Sequence, residues 1–449
     1  MLAVFVTIAF IAINKAKPNE KNIKNVNKSN CPSNCNVIVI SIDTLRADHL
    51  GIYGYQKPTT PNIDKFSQNA IIFEKAFAQS SWTLPSHAAM LTGRYPQKLD
   101  VEVLSDRLPQ GSTITEILKN NNYQTAAFTG GAFVDEQHGF SQGFDTFEEI
   151  QNWQDAEILT QKATSWLTSN QKNKFFLFLH YFHVHDPYSP KADSAGLIDP
   201  NYKGNLKSFD ISQIVKLNKG EITLPQSDLE HLKTLYDAEL LEMDKELGKI
   251  FELLSETKLI DNSIIIITSD HGEEFGEHGT WAMHAYSLYD ELIHIPLIIR
   301  IPDFNQVKRN ANLAELVDIP KTIISLLNIK SPQELDGINL MDSFDGKTSK
   351  KYVYSETSSQ KQQLLDNIER LTSNQKINEI PPQILEGLNQ QKKQKIKTHM
   401  VRTDNFKLIK NFDNTMELYN LKDDPFEKNN IYGTGIGEEK TLIDALNNY

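Results

Sequence analysis

The sequence predicts an α/β fold: a large, mainly parallel sheet flanked by helices, with a smaller C-terminal α+β subdomain. Three observations carry this. Continuous apolar runs at Asn36–Ile42 (NVIVISI), Phe175–Leu179 (FFLFL) and Ser263–Thr268 (SIIIIT) read as strands buried on both faces. Segments with helical spacing separate them, which is the rhythm of βαβ units. Polar residues able to do chemistry follow each run, where an open α/β sheet binds its ligands.

Length and composition bound the rest. At 449 residues the chain suggests two or three domains. Hydrophobic residues make up 39% and charged residues 23%, which is too polar for a multi-span membrane protein. The supply of Ile, Leu, Phe and Tyr excludes a disordered chain. The net charge of −12 comes without a long basic run, so nucleic acid is not an expected partner. Two cysteines cannot build a disulfide scaffold.

Along the chain, Leu2–Ile13 (LAVFVTIAFIAI) has the length of a signal-peptide apolar region and is too short to span a bilayer alone. No basic segment precedes it, and Lys15 and Lys17 follow. Residues 1–14 are therefore expected to be a signal peptide or the end of a longer membrane anchor, with a buried N-terminal strand as the alternative. An exported, cell-envelope protein, periplasmic or membrane-anchored, follows from the first reading. Residues 15–35, rich in Asn and Lys, form a linker. Cys31 and Cys35 (CPSNC) suit a local disulfide if the protein is exported and idle thiols if it is cytosolic. A metal pair is the least favoured reading, since two thiolates need further ligands.

The first strand, Asn36–Ile42, ends at Asp43 and Thr44. Helical patterns follow at Pro61–Ser67, Pro85–Leu91, Ile114–Asn120 and Ala156–Thr168. Phe175–Leu179 is followed by His180, His183 and His185. Leu229–Glu256 is helical. Ser263–Thr268 leads to Ser269, Asp270, His271 and Gly272. Ile295–Ile301 (IPLIIRI) is a weaker strand and Pro320–Leu327 a last helix. Three strand ends thus converge carboxylates and imidazoles, an arrangement that costs too much as unpaired buried charge to be idle.

Asp43, Asp270 and His271 offer two carboxylates and an imidazole. That donor set suits zinc or manganese, with calcium or magnesium less favoured once a histidine takes part. In SWTLPSHAAMLTGR (Ser81–Arg94), Pro85 marks a helix start and Gly93 its end. Thr83 then sits at a helix N-terminus, where backbone N–H groups favour an anion. Its hydroxyl could be a simple N-cap. Beside a divalent ion it is a candidate nucleophile, because the ion lowers its pKa.

Eight stretches, in order, carry a resemblance to the sulfatase family of the alkaline phosphatase superfamily. They are IDTLRADHLGIYGY (Ile42–Tyr55), TTPNIDKFS (Thr59–Ser67), TLPSHAAMLTGRYP (Thr83–Pro96), GFSQGFDTFEE (Gly139–Glu149), HYFHVHDPYSP (His180–Pro190), TSDHGEEFGEHG (Thr268–Gly279), LYDELIHIPLIIR (Leu288–Arg300) and ELYNLKDDPFEKNNI (Glu417–Ile431). The resemblance implies an alkaline-phosphatase-like fold. It implies a sulfatase-like catalytic domain over residues 36–335 and a C-terminal subdomain over residues 336–449. It also implies that Asp43, Asp270 and His271 hold the metal and that Thr83 takes the nucleophile position. His185 would contact the ester oxyanion, and His284 would serve as a second cation or proton donor, although its spacing to Tyr289 is unusual. Arg46 and Arg94 lie in matching segments, with anion binding and structural salt bridges both open.

Three departures bear on the chemistry. Thr83 stands where sulfatases carry the cysteine or serine that becomes formylglycine. His87 replaces the signature arginine, and is grouped here with the catalytic residues. Thr44 replaces the second aspartate of the family's early pair. The remaining set resembles relatives that transfer phosphoethanolamine or cleave phosphate diesters through a phosphothreonine. The expectation is a hydrolase or transferase of sulfate or phosphate esters acting through Thr83, with phosphoryl-type chemistry favoured. Its substrate would be an anionic ester on a glycan, a lipid head group or a small aryl or alkyl group. The N-terminus would give any membrane association. Alternatives are a sulfuric ester hydrolase working without formylglycine, and a non-catalytic envelope protein that binds an anionic glycan or lipid.

Elsewhere, Ser189–Leu232 is an insertion that either roofs the pocket or forms a surface excursion. Residues 360–397 form a polar helical insertion in the C-terminal unit, read as a solvated hairpin ahead of a lid. Lys407 reads as structural, and His278 and Asp318 as loop and packing residues.

Overall fold

The computed structural model describes residues 35–449 apart from 153, 346–347 and 374–396. The N-terminal apolar segment, the linker up to residue 34 with Cys31, and most of the 360–397 insertion lie outside the described residues. Cys35 is disulfide-bonded, and the sequence holds one other cysteine, Cys31. Among the described residues no helix is long and apolar enough to cross a membrane.

The strands are β1 (Asn36–Ile42), β2 (Ile71–Phe77), β3 (Gln124–Thr129), β4 (Thr146–Glu149), β5 (Phe175–Tyr181), β6 (Ser263–Thr268), β7 (Glu274–Phe275), β8 (Trp281–Met283), β9 (His294–Arg300), β10 (Lys308–Glu315), β11 (Val353–Thr357), β12 (Thr398–Arg402), β13 (Phe406–Lys410) and β14 (Met416–Asn420). Eight of them form one sheet in the order β10-β2-β9-β6-β1-β5-β3-β4. The pairs β1–β5, β1–β6, β3–β5, β3–β4 and β10–β2 are parallel. Only β9, the weak IPLIIRI run, lies antiparallel to its neighbours β2 and β6. A second sheet, β11-β12-β13-β14, is antiparallel and belongs to the C-terminal part of the chain.

The continuous apolar character of β1 has a direct cause. Ile38, Ile40 and Ile42 pack with the long helix Gln226–Glu256, while Val37 and Val39 pack on the other side with the helix Thr83–Thr92. Alternate residues point to opposite faces, and both faces are covered, so every position must be apolar. β5 and β6 are likewise buried at every residue. Parallel neighbours bring the C-terminal ends of β1, β5 and β6 to one edge, with Ser41 in register with His180 and with Thr268.

One expectation about the insertions changes. Residues 189–232 hold the helices Ala192–Ile198 and Ile211–Asn218 and then enter the long helix, and Phe209 is fully buried against Tyr188. Phe209, Ile214 and Val215 anchor this segment, while much of the rest of it lies exposed at the surface. Lys361–Ser373 is helical, and its Leu365 is only 1% exposed, set in the same core cluster as Ile214 and Val215. An apolar stripe of Leu364, Leu365 and Ile368 docks this helix on the body, which overturns the solvated reading for the part that is described.

Candidate active site

β1 delivers Asp43 one residue past its end, where Asp43 N donates to Tyr181 O at 2.9 Å. Thr44 turns the chain away at once with φ 55°. Its hydroxyl donates to Val184 O at 3.1 Å. β6 delivers Asp270 and His271 two and three residues past its own end. One donor atom each from Asp43, Asp270 and His271 lie within 4.8 Å of one another, and all three residues are buried.

The local hydrogen bonds leave these atoms facing each other. His271 Nδ1 donates to Gly272 O at 2.9 Å, which turns the Nε2 lone pair toward Asp43 Oδ1 at 3.6 Å and Asp270 Oδ2 at 3.4 Å. Those two carboxylate oxygens accept no hydrogen bond. Buried oxygens without a partner are costly, and burial together with the Asp43 charge pushes the Asp270 carboxyl up from its ordinary range. Burial also holds His271 near 3, in the neutral form that a metal requires. Two orphan carboxylate oxygens and a bare imidazole nitrogen converging in a dry site fit a divalent cation.

Thr83 opens the helix Thr83–Thr92, and Trp82 is its N-cap, without a side-chain cap bond. Thr83 therefore does not cap the helix, as the bland reading of the sequence had it. Its Oγ1 lies 3.5 Å from His271 Nε2, at the N-terminal turn of the helix. His87 sits one turn further on. Its Nδ1 donates to Thr83 O at 3.0 Å, and Ser41 Oγ lies 2.9 Å from its Nε2. Burial holds it near 3, so it is a neutral brace behind Thr83. It does not offer the fixed charge of the arginine it replaces.

His185 and His284 form the mouth. Their rings lie 4.8 Å apart, and the His284 ring is 4.5 Å from that of His271. Their side chains are 16% and 17% exposed while those of Asp43, Asp270 and His271 are sealed. Burial lowers both imidazoles, but the two then diverge. His185 Nδ1 meets Asp186 Oδ1 at 2.6 Å, and that charge outweighs burial and keeps the ring protonated. His284 Nδ1 lies 3.1 Å from Glu273 Oε1, and burial beside His185 holds it near 4. The geometry therefore gives one imidazolium and one imidazole, where the sequence left His284 open as a second cation. Glu273, steadied by Tyr188 OH at 2.9 Å, and Asp186 were not singled out in the sequence. Only their partners reveal them.

The two arginines do not join this set. Arg46 directs Nε and Nη2 to the Asp48 carboxylate at 2.9 and 2.8 Å, and Nη1 to Glu277 Oε1 and Glu273 O. Its donors are committed to structure. Arg94 follows Thr83 by eleven positions, beyond the far end of a helix that rises about 1.5 Å per residue. It lines a separate surface hollow with Lys98, Gln333, Glu334 and Asp336. Lys407 is fully buried against Asp290 and Glu427, His278 is paired with Glu291 and Asp318 with Lys350, all as structural residues.

The Arg46 pairing makes a stability prediction. Burial alone would raise Glu277, but Arg46 and Lys233 outweigh it and hold its carboxyl near 2. A depressed carboxylate stabilises the fold above its unfolded pKa, about 4.3, and loses that contribution as pH falls through the folded value. The melting-temperature gap between the native chain and Arg46→Met is expected to be largest at neutral pH and to narrow between pH 4 and 2. A gap that stays constant over that range would refute the pairing as a stabilising contact.

Comparison with known proteins bears on both fold and site. A family model described as Sulfatase matches residues 35–329. Human iduronate 2-sulfatase is 27% identical over 344 residues, covering 62% of this chain and 61% of the relative. N-acetylglucosamine-6-O-sulfatase of Bacteroides thetaiotaomicron is 22% identical over 506 residues, covering 92% and 85%. The chain spans about three fifths of the human and mouse iduronate 2-sulfatases. In structure, the phosphonate monoester hydrolase of Agrobacterium radiobacter superposes with a TM-score of 0.70 at 18% identity, covering 92% and 94%. A protein solved with its substrate D-glucosamine-2-N,6-O-disulfate gives 0.72 at 20% identity, covering 92% and 97%. At these identities the structural likeness speaks to the fold.

Proposed function

The chain belongs to the sulfatase family of hydrolases acting on ester bonds, and from that premise we propose that it cleaves or transfers an anionic phosphate, phosphonate or sulfate ester through Thr83 as a covalent nucleophile. The observation that carries this reading is the Thr83 hydroxyl, 3.5 Å from His271 Nε2 and so beside the Asp43–Asp270–His271 cluster. A bound zinc or manganese ion would lower the pKa of that hydroxyl and offset charge on the ester oxygens.

The chain's own residues do the remainder. The first turn of the Thr83 helix and the His185 imidazolium hold the non-bridging oxygens. Thr83 gives up its hydroxyl proton to His284 Nε2, and its Oγ forms its bond to phosphorus or sulfur as the bond to the leaving oxygen breaks. His284, tied through Nδ1 to Glu273, keeps Nε2 for proton exchange with the leaving or entering oxygen. Water or an alcohol acceptor then clears the modified threonine.

We favour phosphoryl-type chemistry, because a plain threonine ester must be cleared by attack at the central atom, whereas a formylglycine hydrate can eliminate sulfate. A second reading, sulfate ester hydrolysis, draws support from the sulfatases among the relatives. Parallel assays on nitrophenyl phosphate, phosphonate and sulfate esters separate them. Faster turnover of the sulfate than of both others would reject the phosphoryl preference. Metal analysis of the purified chain is expected to find about one zinc or manganese per chain. A metal-free preparation that also fails to take up either ion would support a non-catalytic binder. We also propose an exported protein of the cell envelope, consistent with the disulfide at Cys35.

A further inference from the structure

β5 ends in His180 and Tyr181, so the histidine first read as following the strand is part of its pleat. The parallel register sets His180 opposite Ser41 on β1. Its side chain is wholly buried, and its Nε2 lies 3.1 Å from Asp43 Oδ2. Asp43 Oδ1 has no hydrogen-bond partner and turns instead to His271 Nε2 at 3.6 Å. The His180 ring stands edge-on to that of His87, with centroids 4.6 Å apart, and Nδ1 meets no partner. Nε2, the nitrogen that faces Asp43, is therefore the one placed to carry the proton.

We propose that His180 is a positioning residue. Its Nε2–H occupies one oxygen of Asp43 and so fixes the other as the oxygen presented to a divalent cation. The inference rests on the reading that Asp43, Asp270 and His271 hold such a cation. A carboxylate has two equivalent oxygens and a soft terminal torsion. Without a donor at Oδ2, Asp43 can swing toward other polar groups, and a second buried oxygen is left without a partner. Partners of this kind, one bond removed from a metal ligand, are typically worth about 10–100-fold in metal affinity. His180 touches neither substrate nor cation, so its effect should appear in binding before it appears in turnover.

The test uses the full chain and zinc or manganese alone. The metal dissociation constant is read by competition with a chromophoric chelator, and folding is checked by the melting curve of the metal-free protein. H180L keeps the volume and removes the donor, and is expected to weaken metal binding by about 10–100-fold. H180Q places an amide N–H at similar reach and is expected to bind close to the native value. If H180L does not fold, H180N, whose amide is too short to reach Asp43, takes its place with the same expected loss. Native affinity in H180L or H180N would overturn the proposal, as would an equal loss in H180Q. Failure of the native chain itself to bind either ion would instead overturn the reading of the metal cluster, and this inference with it.

Discussion

Thr83→Ala is expected to abolish turnover, lowering kcat by about 10⁴-fold or more, while the chain still folds and binds its cation. The expectation follows from where the hydroxyl sits. Thr83 caps nothing and its Oγ1 has no structural partner apart from the cluster, so deletion of the hydroxyl and methyl leaves the helix Thr83–Thr92 intact. Thr83→Ser retains the nucleophile and should keep most of the activity. The direct readout is mass spectrometry of the chain quenched during turnover. A mass increase of one phosphoryl or sulfuryl group on the peptide holding Thr83 is expected in the native chain and absent in the alanine variant. Residual activity in Thr83→Ala within about tenfold of native would rule out the covalent route, because direct attack by water would then account for the rate.

The reach of the sequence stops where side chains have to find one another across strands. β1, β5 and β6 were legible because strands covered on both faces must be apolar throughout. β10 (KRNANLAE) and β4 (TFEE) were not, since they close the two edges of the sheet and carry polar residues there. β3 (QTAAFT) is fully inside, yet its small residues give no periodic signal. The reversal of β9 could not be read, because an apolar run has no direction. In the site, Asp43, Asp270 and His271 were legible as polar residues at strand ends, and Thr83 from the proline two residues on. The bracing of Thr83 by His87 and Ser41, and of Asp43 by His180, depends on a register that pairs Ser41 with His180. No spacing in the chain encodes that register. Arg94, left open between anion binding and a structural role, is close to Thr83 in sequence yet lies beyond the far end of the helix.

The metal reading makes a prediction of opposite signs in one variant. Asp43 and Asp270 turn unpartnered oxygens toward the same sealed space, and in the metal-free chain their negative charges oppose each other where water cannot screen them. Asp270→Asn keeps the shape and removes one charge. The metal-free variant is therefore expected to melt above the metal-free native chain at neutral pH. A cation reverses the order. Ligand at about 1,000 times its dissociation constant stabilises the native chain by about 4 kcal/mol, while Asp270→Asn, having lost one of its anionic donors, should gain far less. Titration of both chains with zinc or manganese, followed by melting temperature, gives two curves that cross. A variant that melts lower without metal and gains as much with it would mean that the two carboxylates are not sharing an ion. The cluster would then be a buried polar network, and Thr83 would have no electrostatic reason to be reactive.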